Sequence, residues 1–130
     1  MKRRTAREKA LQALFQMDMS ELEADVALAN ITEDEEGDTY LTQLVLGTAE
    51  HLPAIDKRIS SHLERWTFDR LAKVDRNILR LAVYEMQFVL DTPHKVIINE
   101  AIEVSKTFGD EKSSKFINGV LSKVHDELNK

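Results

Sequence analysis

Lys2, Arg3, Arg4 and Arg7 bring four positive charges together within six residues. Guanidinium and ammonium groups at that density attract phosphate. The residues that follow supply the rest of what a single strand of RNA needs. Gln12 and Gln16 carry amides for base edges, and Phe15 carries a ring for stacking, one or two helical turns further on. The competing reading of the same residues is a frayed, solvated end whose charge serves solubility. A second set lies between Phe108 and Phe116, with Lys106, Lys112, Ser113 and Lys115. Phe116 suits a core position as well as a stacking platform. These lysines join an RNA path only if their helix start lies beside the first helix.

Charge sharpens the first reading. The first nine residues set Lys2, Arg3, Arg4, Arg7 and Lys9 against Glu8 alone, whereas the whole chain carries −5 with a pI near 5.4. Ser20 to Asp38 holds eight acidic residues and no basic one. Such a chain is a poor general polyanion binder, yet a concentrated basic end still acts locally, because the Debye length is about 8 Å at physiological salt.

Other chemistry finds little support. The four Gly stand alone, so no loop cradles phosphates. His51, His62, His94 and His125 lack the spacing of a helical zinc pair and read as exposed polar residues. With no Cys there is no thiolate ligand or nucleophile, which suits a reducing cytosol. Ser113 and Ser114 read as a helix cap, not as part of a nucleophile elbow. No apolar run reaches membrane-spanning length, and no secretory signal follows the basic start. The expectation is a cytoplasmic binding protein with no catalytic site, metal or cofactor.

The elements that position these residues are helices. The 130 residues suffice for one domain, divided into helical halves at about 1–65 and 66–130. Ala6, Ala10, Leu14 and Met17 form one apolar stripe and predict a helix from about Thr5 to Met19. Arginines at its start oppose the helix macrodipole, a cost that a ligand would justify. A short helix over Glu21–Ala29 precedes an acidic loop ended by Gly37. Further helices begin near Thr39 and at Pro53. Trp66 to Asp69 reads as a turn anchored by two aromatics. The most regular helix runs from about Val74 to Leu90, with Glu85 as the polar member of an apolar series. Its simplest partner is Arg76 or Arg80; a protein-binding face is the alternative. Thr92-Pro93 reads as N-cap and first helical residue of a helix reaching Lys106, with Gly109 closing it in the left-handed region. Val96-Ile97-Ile98 has strand propensity, but the flanking apolar spacing favours helix. The last helix starts near Ser113. Gly47 and Gly119, inside apolar helices, suggest close passage of another helix.

Four segments resemble one family. Arg3-Arg4-Thr5-Ala6-Arg7-Glu8-Lys9-Ala10-Leu11-Gln12-Ala13-Leu14-Phe15, Val74 to Glu85, Val96 to Glu103 and Lys115 to Leu121 are similar, in order, to the helices of the NusB family of bacterial transcription antitermination factors. The resemblance implies an all-α fold of two packed three-helix bundles, sometimes with an extra helix. It implies binding of the boxA element of nascent ribosomal or phage RNA jointly with NusE, a small-subunit ribosomal protein. The assembly then joins the RNA polymerase elongation complex. Matching positions imply RNA contacts at Lys2, Arg3, Arg4 and Arg7, with Gln12 and Phe15 as weaker members and Lys112, Lys115 and Phe116 as an extension. NusE would meet Arg76, Arg80, Tyr84 and Glu85. A homodimer that hides the basic helix is compatible with the same sequence.

Overall fold

The computed structural model describes residues 1–32, 38–65 and 67–130, and every regular element among them is helical. The chain runs α1 (Arg3–Ser20), α2 (Ala24–Thr32), α3 (Thr39–Glu50), α4 (Leu52–Ser60), a 3-10 turn (Phe68–Arg70), α5 (Lys73–Phe88), α6 (His94–Phe108) and α7 (Ser113–Leu128). The expected acidic loop at 33–37 and Trp66 lie outside the described residues.

Local chemistry sets the boundaries. Asp38 caps α3, its Oδ1 accepting from the Leu41 N–H at 3.0 Å. Pro53 sits in the first turn of α4, where a missing N–H costs nothing. Glu21 ends α1 at φ 54°, ψ 35°, a left-handed position occupied here without glycine. Two expected boundaries are corrected. Pro93, not Thr92, is the residue before α6, and no side chain caps that end. Gly109 is extended, at φ −96° and ψ −171°, so left-handed freedom is not its reason. A Cβ there would fall 2.5 Å from Ser113 Oγ, so close approach is the reason. Val96 to Ile98 are helical.

α1, α2 and α3 pack together as one three-helix group, and α5, α6 and α7 as a second; α4 packs on α5 and α7. α5 also meets α1 and α3, and is the central element. Every residue from Arg76 to Met86 is buried, three ionised side chains among them. Burial at that depth requires each charge to find a partner. One apolar cluster, with Leu14, Leu41, Leu44, Ile59, Leu79, Val83, Ile97, Ile117 and Leu121 among its members, runs through both groups.

Gly47 meets the close-packing expectation: a Cβ would lie 2.3 Å from the Tyr84 ring. Gly119 does not, because nothing stands within 4 Å of a Cβ there. The histidines are also corrected. All four are partly buried and partnered: His94 and His125 meet Nδ1 to Nδ1 at 2.8 Å, His51 stacks on Phe88 at 4.0 Å, and His62 lies 3.3 Å from Glu127.

Candidate nucleic-acid interface

The stripe of alanines and leucines buries one side of α1 and leaves its N-terminal cations at the rim of the α1–α5–α6 junction. The structure then separates the four cations by role. Lys2 and Arg3 are exposed. Arg3 spreads its guanidinium 4.4 Å from the centre of the Tyr40 ring and donates to Thr92 Oγ1 at 3.3 Å. Arg4, with its side chain 54% exposed, makes a two-point pair with Glu100 of α6, Nε to Oε2 at 2.9 Å and Nη2 to Oε1 at 3.0 Å. Those hydrogen bonds and the attraction behind them hold Glu100 below the usual carboxylate range.

Arg7 differs from the other three. It is 6% exposed and donates from Nε and Nη2 to both oxygens of Glu85, at 2.8 and 2.9 Å. Glu85 itself is 1% exposed. Burial disfavours the Arg7 charge, but the carboxylate outweighs that and holds the guanidinium above its ordinary range. Tyr40 closes this site, its hydroxyl 3.4 Å from Arg7 Nη2. Burial, then the nearby Glu85 charge, raise the Tyr40 phenol. The expectation that Glu85 pairs with Arg76 or Arg80 is therefore overturned. Arg7 is an internal brace between α1 and α5, not a member of an open cationic face.

Arg76 and Arg80 are each 8% exposed and have other partners. Arg76 forks onto Asp18 of α1, with Nη2 at 2.7 Å, while Arg80 forks onto Asp56 of α4 at 2.8 and 2.9 Å. Asn77 donates to the same Asp18 at 2.9 Å, and the Phe68 ring lies 5.3 and 5.2 Å from the two guanidiniums. Tyr84 is buried under α3 at Gly47 and stacks near Phe88 at 5.4 Å. The four side chains expected to meet a protein partner are thus interior cross-links among α1, α3, α4 and α5.

Beyond the cations, α1 turns Leu11, Gln12, Phe15 and Gln16 toward a groove that Val74 of α5 and Phe108 of α6 complete. Gln12 is exposed and Phe15 partly so. Phe108 is the last residue of α6, so the end of α6 borders this groove with α1; the start of α7, expected beside α1, belongs to a helix that among the described residues packs mainly on α4, α5 and α6. From there Ser113 Oγ donates to Asp75 Oδ1 at 2.7 Å and ties the start of α7 to the start of α5. Lys112 and Phe116 line a second groove with Arg70, Leu71 and Ala72, and Lys115 stands on the other side of Phe116 with Arg65 and Lys123. Tyr40 and Glu100 belong to the site and escaped the sequence reading. Their partners lie across the fold, and no local spacing announces such pairs.

Among the described residues, no three His, Cys, Asp or Glu stand close enough to share a metal ion, and no helix is long and apolar enough to cross a membrane. The fold is all-helical, and it presents an exposed cationic helix start with grooves beside it. The family model for NusB matches residues 4–126. The transcription antitermination protein NusB of Bacillus cereus (strain B4264) is 55% identical over 130 residues, covering 98% of this chain and 100% of that protein. The structure of T. maritima NusB superposes with a TM-score of 0.89 at 40% identity, over 98% of this chain and 92% of that one. A structure of the antitermination factors NusB and NusE in complex with dsRNA matches at TM-score 0.87 and 31% identity, over 96% of both chains. The chain belongs to the NusB family.

Proposed function

We propose that this protein is a cytoplasmic transcription antitermination factor that acts by binding and not by catalysis. It holds boxA-containing single-stranded RNA together with NusE and carries that RNA to the RNA polymerase elongation complex, notably on ribosomal RNA operons. The observation that carries the reading is the exposed rim Lys2–Arg3–Arg4 opening toward the Gln12–Phe15–Phe108 groove in an otherwise acidic molecule. Phosphates meet the rim, a base stacks in the groove, and the amides of Gln12 and Gln16 meet base edges. Lys112, Lys115 and Phe116 continue the surface. Arg7 contributes by fixing the angle of α1. Arg76 and Arg80 serve NusE in the same indirect way, by holding Asp18, Asp56 and Phe68 where a basic ribosomal protein meets them, while Glu85 and Tyr84 fix α1 and α3 against α5 behind that surface. Support also comes from the NusB–NusE–dsRNA structure, whose NusB chain has the same fold.

A labelled boxA RNA, titrated with and without NusE and against a scrambled RNA, tests this. Sequence-selective binding that tightens with NusE is expected, and absence of selectivity in both conditions would refute it. The ion pairing of Arg4 and Arg7 favours one second reading, in which NusE makes most RNA contacts. The Arg3→Glu, Arg4→Glu double variant separates the two, because only the first reading predicts a large loss of affinity.

A further inference from the structure

The Arg4–Glu100 pair uses the fork geometry that a guanidinium presents to phosphate. The two functions compete for the same two N–H groups. We propose that Glu100 is an intramolecular competitor for the RNA phosphate at Arg4, an affinity brake built into the binding surface. This rests on the RNA-binding role proposed above.

Two features support exchange at this pair, and a third supports the brake. It lies at the surface, with side chains 54% and 21% exposed, whereas Arg7 and Glu85 in the next turn are 7% and 1% exposed. Exposed pairs contribute little to stability, so giving one up is easy. Second, the released carboxylate keeps a cation, because Arg7 Nη1 already stands 4.0 Å from Glu100 Oε2. Third, Glu103 and Glu8 also act on Arg4, so a strand arriving at its fork meets an acidic surround. The rim alone therefore holds RNA weakly. Binding comes to depend on the groove contacts and on the protein partner.

The test uses the full chain and a labelled single-stranded RNA of the target sequence, with Glu100→Gln, Arg4→Gln and the double variant. Glu103→Gln is the control, because it removes the same charge one turn along from a residue paired to Lys106. Glu100→Gln is expected to tighten RNA binding about threefold, the scale of an exposed ion pair. The gain should vanish in the Arg4→Gln background, with Glu103→Gln giving clearly less. Circular dichroism melting should show all four variants folded. An unchanged or weaker Glu100→Gln complex overturns the inference, since it makes Glu100 a neutral or positioning residue. So does a gain that survives without Arg4 or is matched by Glu103→Gln. If Arg4→Gln weakens binding while Glu100→Gln does nothing, the RNA-binding role stands and only the brake falls. If the wild-type chain binds no RNA, even with NusE present, both fall.

Discussion

Arg7 and Glu85, 78 residues apart in the chain, meet as a two-point ion pair sealed between α1 and α5. Each is the other's answer to burial. Removing one strands an ion in a site that water does not reach.

Glu85→Ala should therefore destabilise the fold by about 3–5 kcal/mol, the usual cost of orphaning a buried charge. Replacing both partners by apolar residues of similar size should recover most of that loss. Urea denaturation of the two singles and the double decides it; singles costing under ~1 kcal/mol would mean that the pair is dispensable. Loss of RNA binding in an Arg7 variant must be read beside its stability.

The rim predicts a salt dependence. If Lys2, Arg3 and Arg4 each meet one phosphate, log affinity against log salt should fall with a slope of about −2, because single strands contribute roughly −0.7 per contact. Arg3→Ala should bring it near −1.4. Fluorescence anisotropy at several salt concentrations measures this, and an unchanged slope would remove Arg3 from the interface.

Two aspartates should respond to pH in opposite senses. Burial alone would raise Asp18, but hydrogen bonds from Arg76 and Asn77 outweigh it and hold the carboxyl below its usual range. A depressed native carboxyl stabilises the fold above its unfolded value, near ~4, and loses that contribution as pH falls through the native value. Asp75 is raised, by burial first, against the Ser113 hydrogen bond. Its contribution is full below the unfolded value and lost as pH rises through the native one. Asp18→Asn should thus lower the melting temperature at pH 7 and Asp75→Asn should raise it. Both differences should shrink toward pH 3. Parallel melting curves for either variant across that range would contradict the assignment.

The two helical glycines give a paired test. Gly47→Ala drives a methyl into the Tyr84 ring and should cost ~1–3 kcal/mol by overpacking. Gly119→Ala meets nothing within 4 Å and should stabilise α7 by up to about 1 kcal/mol. Thermal melts of the two should shift in opposite directions.

Much of this was legible in the sequence, and for definite reasons. The stripe Ala6–Ala10–Leu14 and the run from Val74 to Val89 carry the helical repeat, so α1 and α5 emerge within two residues of their ends. The cluster Lys2–Arg3–Arg4 marks the candidate face, while Arg7, read with it, turns inward. What sequence spacing does not reveal is pairing across the fold. Arg7 and Arg4 look alike in the sequence, yet one is sealed against Glu85 and the other pairs at the surface with Glu100. Glu85 has arginines five and nine residues earlier on its own helix, and its partner comes from α1. Arg76 and Arg80 look like surface residues until Asp18 and Asp56 arrive from two other helices. Gly109 fits a left-handed helix end until Ser113 folds back against it.

Synthesis on the ribosome runs from α1 to α7, so Arg7 leaves the exit tunnel well before Glu85 is made. Until then the nascent helix carries an unpaired guanidinium on the side destined for the interior. The early helices can meet one another, but the buried charge of Arg7 finds its partner only when α5 is added. Severing the chain near residue 65 should leave two pieces that fold only when mixed, with the arginine of one supplying the missing cation to the other.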